Sequence, residues 1–155
     1  MRTIFSLLFV SFLSISTAVV AQTGSAKQVK ISQAVKKIGE KKYEVTITAD
    51  IAGDYHLYAQ DAGAEGPVPT TIRFQPNPLL TLVGKPTEKG KKISKLEKVW
   101  GGKVNYYDKI VSFVQVVTAK TNAKTSLNGI IEFMVCNDEV CLPPSELPLK
   151  IAIGG

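Results

Sequence analysis

The residues of this sequence best suited to chemistry are its two cysteines, Cys136 and Cys141, which are separated by four residues. They lie in the segment 133–144, which reads FMVCNDEVCLPP. If residues 137–140 form a four-residue turn between two strands, the cysteines face each other with their Cβ atoms about 4.5–5.5 Å apart. That separation is slightly wider than a relaxed disulfide requires, so the spacing predicts a disulfide that forms after a small adjustment.

The spacing leaves the purpose of this disulfide open. Structural disulfides are common in exported proteins. A bridge across so short a loop, however, contributes only about 2 kcal/mol in the chain-entropy model, and a turn already holds these ends together. Short, accessible disulfides are the type used for thiol exchange. A structural pair and a redox-active pair are therefore both consistent with the sequence.

Two acidic residues, Asp138 and Glu139, lie between the cysteines. Negative charge beside a thiol disfavours the thiolate and raises the thiol pKa, which predicts cysteines that react inside a docked complex rather than with free thiols. A metal site is a further alternative, because His56, the single histidine, would add a third ligand. A tetrahedral site would still lack one ligand unless Asp138 or Glu139 joined it. We therefore expect no metal and no dissociable cofactor.

The N-terminus has the pattern of a signal peptide. Arg2 is followed by the mainly apolar run Ile4–Ile15, and Ala21 completes a cleavage site, with Ala18 as a second one. The run is shorter than the roughly 20 residues that span a bilayer. We expect residues 1–21 to be removed on export from the cytoplasm, residues 22–28 to be a flexible lead-in, residues 29–155 to form one domain, and no stable membrane insertion.

Period-2 alternation of apolar and polar residues predicts strands over Tyr43–Ile51 and Leu147–Ile153. Further strands are predicted at Val29–Ser32, Tyr55–Ala59, Thr70–Phe74, Leu79–Val83, Ile110–Thr118 and Leu127–Val135. The run Ile110–Thr118 is apolar on both faces, which favours a central position in a sheet. The remaining segments Gln60–Pro69 and Gly84–Lys98 are predicted as loops. No capped helical pattern is present, so the sequence predicts an all-β sandwich of two antiparallel sheets.

The formal net charge is +6, and seven lysines lie between Lys85 and Lys103. Such a stripe can bind an anionic partner, but Arg73 is the only arginine after the signal peptide, and arginine is the usual reader of nucleic acids. We expect a solvated loop rather than a nucleic-acid site.

Several segments together resemble the N-terminal periplasmic domain of the DsbD thiol:disulfide interchange protein family, in its Bacteroidetes form. They are the segments 55–60 (YHLYAQ), 66–70 (GPVPT) and 132–144 (EFMVCNDEVCLPP). The resemblance covers nearly the whole chain after the signal peptide, and the cysteine motif is its specific part. One departure is that the better-known enterobacterial members have five residues between the cysteines rather than four.

The resemblance implies an immunoglobulin-like sandwich and a redox pair in which Cys141 attacks a partner disulfide and Cys136 resolves the mixed disulfide. It also implies an aromatic cap loop, which matches Val99, Trp100, Gly101 and Gly102. Trp100 would be the cap and the two glycines its hinge, although Trp100 is equally consistent with a core residue. His56 and Tyr58 match positions that line the site.

The implied partners are thioredoxin-fold periplasmic proteins, including those of cytochrome c biogenesis. No membrane domain follows in this sequence, so a separate membrane protein is the expected electron donor, and a monomer is expected. The leading hypothesis is thus a thiol–disulfide oxidoreductase of the protein-disulfide reductase type. The alternative is a non-catalytic immunoglobulin-like binding module with a structural disulfide.

Overall fold

The computed structural model describes residues 24–154. In chain order its strands are β1 Val29–Gly39, β2 Lys42–Ile51, β3 His56–Gly63, β4 Thr71–Phe74, β5 Leu80–Lys89, β6 Lys92–Glu97, β7 Gly102–Asp108, β8 Ile110–Ala119, β9 Thr125–Phe133, β10 Val135–Cys136 and β11 Ser145–Ile153. Short 3₁₀ helices form at Gly24–Lys27 and Lys98–Trp100. The predicted signal peptide, residues 1–21, lies outside the described residues.

Hydrogen bonds group the described strands into three antiparallel sheets, which we call A, B and C. Their strand orders are β1-β2-β8-β5 in sheet A, β10-β3-β7-β6 in sheet B and β11-β9-β4 in sheet C. Buried side chains from all three sheets pack into one apolar core. The fold is an all-β, immunoglobulin-like sandwich, as the sequence predicts, with its strands in three hydrogen-bonded sheets rather than the expected two. No helix within residues 24–154 is long and apolar enough to cross a membrane.

Strands with one buried face were predicted well. In β2 the side chains of Val45, Ile47, Ala49 and Ile51 are buried and the residues between them are not. The strand β8, apolar on both faces, lies between β2 and β5 in sheet A, which confirms its predicted central position.

The lysine-rich segment Gly84–Lys98 was wrongly predicted to be a solvated loop. It contains the second half of β5 and all of β6. β5 returns to pairing with β8 after a bulge, and β6 pairs with β7 along its length. Because β5 and β6 are outer strands of their sheets and few of their side chains are buried, no apolar alternation marks them in the sequence.

Other strand bounds also differ from the prediction. β1 continues to Gly39 and β3 to Gly63, and β7 was not predicted at all. The predicted strand Leu127–Val135 is divided at Met134, where the chain passes from β9 in sheet C to β10 in sheet B. This passage matters for the site, because it delivers the first cysteine to sheet B.

The segment expected to be a flexible lead-in is packed in its described part. Within the 3₁₀ helix Gly24–Lys27, Ser25 and Ala26 are buried. The Ser25 backbone N–H donates to the Pro143 carbonyl oxygen at 2.9 Å. Local composition does not predict this contact, because its two partners are 118 residues apart in the sequence.

Glu88, near the end of β5, joins sheet A to sheet B. Its carboxylate accepts hydrogen bonds from the Gln60 backbone N–H at 2.6 Å and the Tyr107 hydroxyl at 2.8 Å, and it pairs with the Lys92 ammonium at 2.7 Å. Burial disfavours the charge, but these donors outweigh burial, so the pKa of Glu88 is lowered. Glu88 thereby holds β3, which carries part of the site described below, against sheet A.

Glu88→Gln should lower the free energy of unfolding by about 1–3 kcal/mol, because a neutral amide cannot serve all three donors. The matched control is Glu44→Gln, whose carboxylate forms a more exposed ion pair with Lys89 at 3.8 Å and should cost less than about 1 kcal/mol. Urea denaturation at pH 7 measures both. The lowered pKa adds stability above the unfolded carboxyl pKa, and this stability should be lost as the pH falls through the folded value. Equal midpoints for the two variants would contradict the assignment.

Candidate functional site

The site lies on the face of sheet B that points away from the main core. Successive side chains of a strand point to opposite faces. In β3, Leu57 and Ala59 enter the main core, whereas His56 is partly buried and Tyr58 belongs to a second, smaller apolar cluster. The buried members of this second cluster are Tyr58, Ala62, Val104, Tyr106, Met134 and Cys136. In β10 the same alternation sends Val135 to the main core and Cys136 to the second cluster.

Cys136 is placed by pairing with β3, where it lies opposite His56. The chain then turns at Asn137, whose side-chain oxygen accepts from the backbone N–H groups of Glu139 and Val140 at 3.0 and 2.8 Å. This side-chain-to-backbone turn is typical of asparagine. The turn brings Cys141 opposite Cys136 as an antiparallel pair, as the four-residue spacing predicts.

The cysteine pair forms a disulfide with a Cα–Cα distance of 4.0 Å. Backbone hydrogen bonds flank it on both sides: the Asn137 N–H donates to Val140 O, and the Leu142 N–H donates to Val135 O, each at 3.0 Å. The cysteines therefore occupy a non-hydrogen-bonded position of the antiparallel ladder, where opposite Cα atoms approach most closely. This position explains why so short a hairpin holds the two sulfurs together.

The two cysteines are unequally exposed. Cys136 is 2% exposed, whereas Cys141 is exposed. Cys136 is covered by the second cluster, while Cys141 follows the turn and precedes the extended segment that leads to β11.

Trp100 lies beside the disulfide at the end of the second 3₁₀ helix, which Gly101 terminates with a φ of 64°. Its indole N–H donates to the Tyr58 hydroxyl at 3.1 Å, and the two rings meet edge to face. Its ring also packs against Gly66 so closely that a Cβ at position 66 would lie 2.2 Å from the indole carbon Cε3. Trp100 is only partly buried, so it both covers the second cluster and borders the disulfide.

The loop that contains Gly66, against which Trp100 packs, is hydrogen bonded to β3. The Thr70 hydroxyl donates to the Tyr58 carbonyl oxygen at 2.6 Å, and the Thr70 N–H donates to the Ala59 carbonyl oxygen at 3.2 Å. These bonds hold the loop that contains Gly66 next to the strand that contains Tyr58. Trp100 therefore packs against a loop that hydrogen bonds to β3 hold in place.

A groove of about 320 Å³ runs beside the disulfide. Apart from Gly101, all of the predicted site residues line it, and Glu97, Asn137 and Val140 are also part of its wall. Val99 is 82% exposed at its rim, and Asp138 and Glu139 are exposed in the turn.

Sequence reasoning missed Tyr106, which lies on β7 opposite Tyr58. Its ring centroid is 4.3 Å from that of His56, and it is 8% exposed. The signal was present in the alternation of Val104 and Tyr106 with polar neighbours, but it spans few residues.

The electrostatics of the groove centre on His56. Burial lowers its pKa, while Asp108, Glu97 and Asp138 act in the opposite direction and Lys95 adds to the lowering. Burial raises the pKa of Tyr58, because here the charged form is the deprotonated one, and the hydrogen bond from Trp100 partly offsets this rise. Both side chains are therefore neutral near pH 7. Among residues 24–154, no three His, Cys, Asp or Glu side chains are grouped so that they could hold a metal ion.

Comparison with known families gives a match over residues 25–151 to the model described as "Thiol:disulfide interchange protein DsbD, N-terminal". No curated protein matches the chain in sequence.

Among solved structures, the reduced DsbD N-terminal domain of Neisseria meningitidis is similar, with 21% identity and a TM-score of 0.57 over 83% of this chain and 88% of that one. The N-terminal periplasmic domain of ScsB from Proteus mirabilis is similar with 18% identity and a TM-score of 0.56 over 81% of this chain. The chain spans 48% of that ScsB chain. A third structure, a complex between the DsbD and PilB N-terminal domains of Neisseria meningitidis, matches with 15% identity and a TM-score of 0.50 over 77% of this chain and 80% of that one. At these identities the likenesses establish the fold.

Trp100→Ala should speed reduction of the disulfide by dithiothreitol, because the second cluster beside Cys136 would be opened. Gly66→Ala should do the same with the indole still present, since its Cβ would displace the ring. The matched control is Gly84→Ala, which has a positive φ of 69° but no atom within 4 Å of the added Cβ. Stopped-flow reduction and urea midpoints measure both effects. Unchanged reduction rates with a stability loss of about 3–5 kcal/mol for Trp100→Ala would instead make Trp100 a core residue.

His56 should make the protein less stable as the pH falls. Its folded pKa is lowered, so below the unfolded value of 6.5 the unfolded chain binds a proton that the folded chain resists. Stability should be complete above pH 6.5 and decline as the pH falls toward the folded pKa. Because His56 is the single histidine, its NMR titration gives the folded pKa directly. As the pH falls below 6.5, the urea midpoint of His56→Gln should decline less than that of the native protein. An identical decline in the two proteins would refute the prediction.

Proposed function

The chain belongs to the family of N-terminal domains of the thiol:disulfide interchange protein DsbD, and we propose that it is a periplasmic dithiol–disulfide carrier. In this proposal Cys136 and Cys141 relay electrons between a separate membrane donor and thioredoxin-fold partners, among them proteins of cytochrome c biogenesis. Residues 1–21 direct export and are then removed, and residues 29–155 act as a monomeric domain.

The unequal exposure of the two cysteine residues is the observation that carries the proposal. Thiol exchange requires an in-line approach of one sulfur to another, so the accessible sulfur is the one that meets a partner. Cys141 is exposed and Cys136 is 2% exposed. Cys141 is therefore assigned as the sulfur that forms the mixed disulfide, and Cys136 as the resolving cysteine.

When the dithiol form reduces an acceptor, the Cys141 thiolate attacks the acceptor disulfide. A bond forms between Cys141 and one acceptor sulfur, and the second acceptor sulfur leaves as a thiolate that takes up a proton. The Cys136 thiol then loses its proton, and the resulting thiolate attacks the Cys141 sulfur and expels the first acceptor sulfur as a thiolate, which also takes up a proton. Two electrons and two protons have then moved to the acceptor, and the hairpin is a disulfide. The donor reloads it by the same steps in reverse.

The surroundings of the hairpin support such a cycle. The main core lies on the other face of sheet B, so breaking the sulfur bond does not open it. Trp100, Tyr58 and the neutral His56 shield Cys136, while the exposed Val99 and Val140 at the groove rim offer apolar surface to a docking protein.

The test is capture of a mixed disulfide. Cys136→Ser retains the exposed cysteine but removes the resolving one, so an adduct with a purified periplasmic thioredoxin-fold protein should accumulate on non-reducing gels. Cys141→Ser, which retains the buried cysteine, is the matched control and should yield at least about tenfold less adduct. Mass spectrometry should locate the bond at Cys141. If neither variant forms an adduct, and glutathione does not reduce the native disulfide, the carrier function is wrong and a binding module with a structural disulfide is the better description.

A further inference from the structure

The first 3₁₀ helix, Gly24–Lys27, contacts the base of the cysteine hairpin. Ser25 in this helix is 0% exposed. Its hydroxyl oxygen accepts a hydrogen bond from the Val135 backbone N–H at 3.0 Å. The same hydroxyl donates to the Pro143 carbonyl oxygen at 2.9 Å, with the Leu142 carbonyl oxygen at 3.3 Å as a second acceptor.

These contacts connect the two arms of the hairpin through one side chain. Val135 directly precedes Cys136, and Leu142 directly follows Cys141. The turn at 137–140 closes the far end of the hairpin, and the Ser25 hydroxyl ties the near end. The two cysteines therefore lie between a closed turn and a hydroxyl that bridges both strands.

The backbone around Ser25 is fitted to this position. The Ser25 N–H also donates to Pro143 O, and the Ala26 N–H donates to the Ser145 hydroxyl at 3.0 Å. Gly24 has a φ of 62°, and a Cβ there would lie 2.6 Å from Pro143 O. Only glycine permits this approach without displacement of the helix.

We propose that residues 24–27 form a clamp, and that Ser25 is a positioning residue which keeps the Cys136 and Cys141 thiols opposed when the disulfide is open. The proposal rests on the carrier function given above. Its consequence is that a segment distant in sequence helps to set the reduction potential and the rate of resolution.

The physical reason is the difference between the two redox states. In the disulfide form the covalent bond holds the arms together, whether or not the clamp is present. In the dithiol form noncovalent contacts do so, and they fix the effective concentration of one thiol near the other. Without the hydroxyl both states lose its hydrogen bonds, but only the dithiol form can relax by opening. The equilibrium therefore shifts toward the dithiol, and the attack of Cys136 on the Cys141 sulfur slows.

Equilibration with glutathione measures this shift without any protein partner. Two glutathione thiols reduce the hairpin disulfide to two thiols and yield one glutathione disulfide, so electrons and protons balance. For Ser25→Ala we expect the equilibrium constant for disulfide formation to fall about fivefold to tenfold, which corresponds to a rise of about 20–30 mV in reduction potential. Thiol alkylation followed by mass spectrometry gives the ratio of the two forms.

The matched control is Ser112→Ala. That hydroxyl is hydrogen bonded to the Thr48 hydroxyl at 2.9 Å in sheet A, so the variant loses a serine hydrogen bond away from the hairpin. It should lower the urea midpoint but leave the glutathione equilibrium unchanged. Gly24→Ala, which pushes the clamp from Pro143 while retaining the Ser25 hydroxyl, should shift the equilibrium in the same direction as Ser25→Ala.

If Ser25→Ala and Gly24→Ala lower the urea midpoint but keep the glutathione equilibrium within twofold of the native value, Ser25 is purely structural and the clamp proposal fails. This outcome is separate from the fate of the carrier function. Adduct capture by Cys136→Ser with an unchanged equilibrium in Ser25→Ala would overturn the clamp alone. Absence of capture in both cysteine variants, together with a native disulfide that glutathione does not reduce, would overturn the carrier function and, with it, the clamp's assigned role in resolution.

Discussion

Two backbone hydrogen bonds that flank the disulfide, from Asn137 to Val140 and from Leu142 to Val135, determine how the site is arranged. They fix the register of the hairpin and so place Cys136 and Cys141 at a non-hydrogen-bonded pair, where side chains are closest. A shift of one residue would turn one cysteine toward the main core and separate the sulfurs. The covalent bond is thus a consequence of register, and the turn that sets the register depends on the side chain of Asn137.

Sheet B separates the disulfide from the main apolar core, because the two lie on opposite faces of the sheet. One face contributes Leu57, Tyr107 and Val135 to the main core, and the other carries the disulfide among aromatic side chains. Burial of apolar area is the main source of folding free energy. Since that area lies on the opposite face, opening the sulfur bond removes little of it. The same division leaves the outer face free to be polar, aromatic and partly exposed.

The sequence was informative where burial imposes a pattern. β2 and β11 were predicted because one face of each is buried, and the hairpin because its cysteine spacing fits a turn. The second half of β5 and all of β6 were missed because outer strands carry little of that alternation. No local pattern marked Ser25, because the hydrogen-bond partners of its hydroxyl lie 110 to 118 residues away in the sequence. The sequence was equally consistent with Trp100 as a cap over the site and as a core residue. Its partial burial against Gly66 accounts for both interpretations.

The positions of the lysines along the outer strands have a consequence for the protein in a crowded compartment. β1 and β5 are the outer strands of sheet A, and β6 is an outer strand of sheet B. Lys36 and Lys37 lie on β1, Pro86 on β5, and Lys92 and Lys95 on β6. An unprotected outer strand is a template for pairing with another molecule, and lysine or proline there opposes such growth through charge repulsion or a missing N–H donor. Part of the positive charge is thus placed on outer strands, where it opposes strand-to-strand pairing with a second molecule.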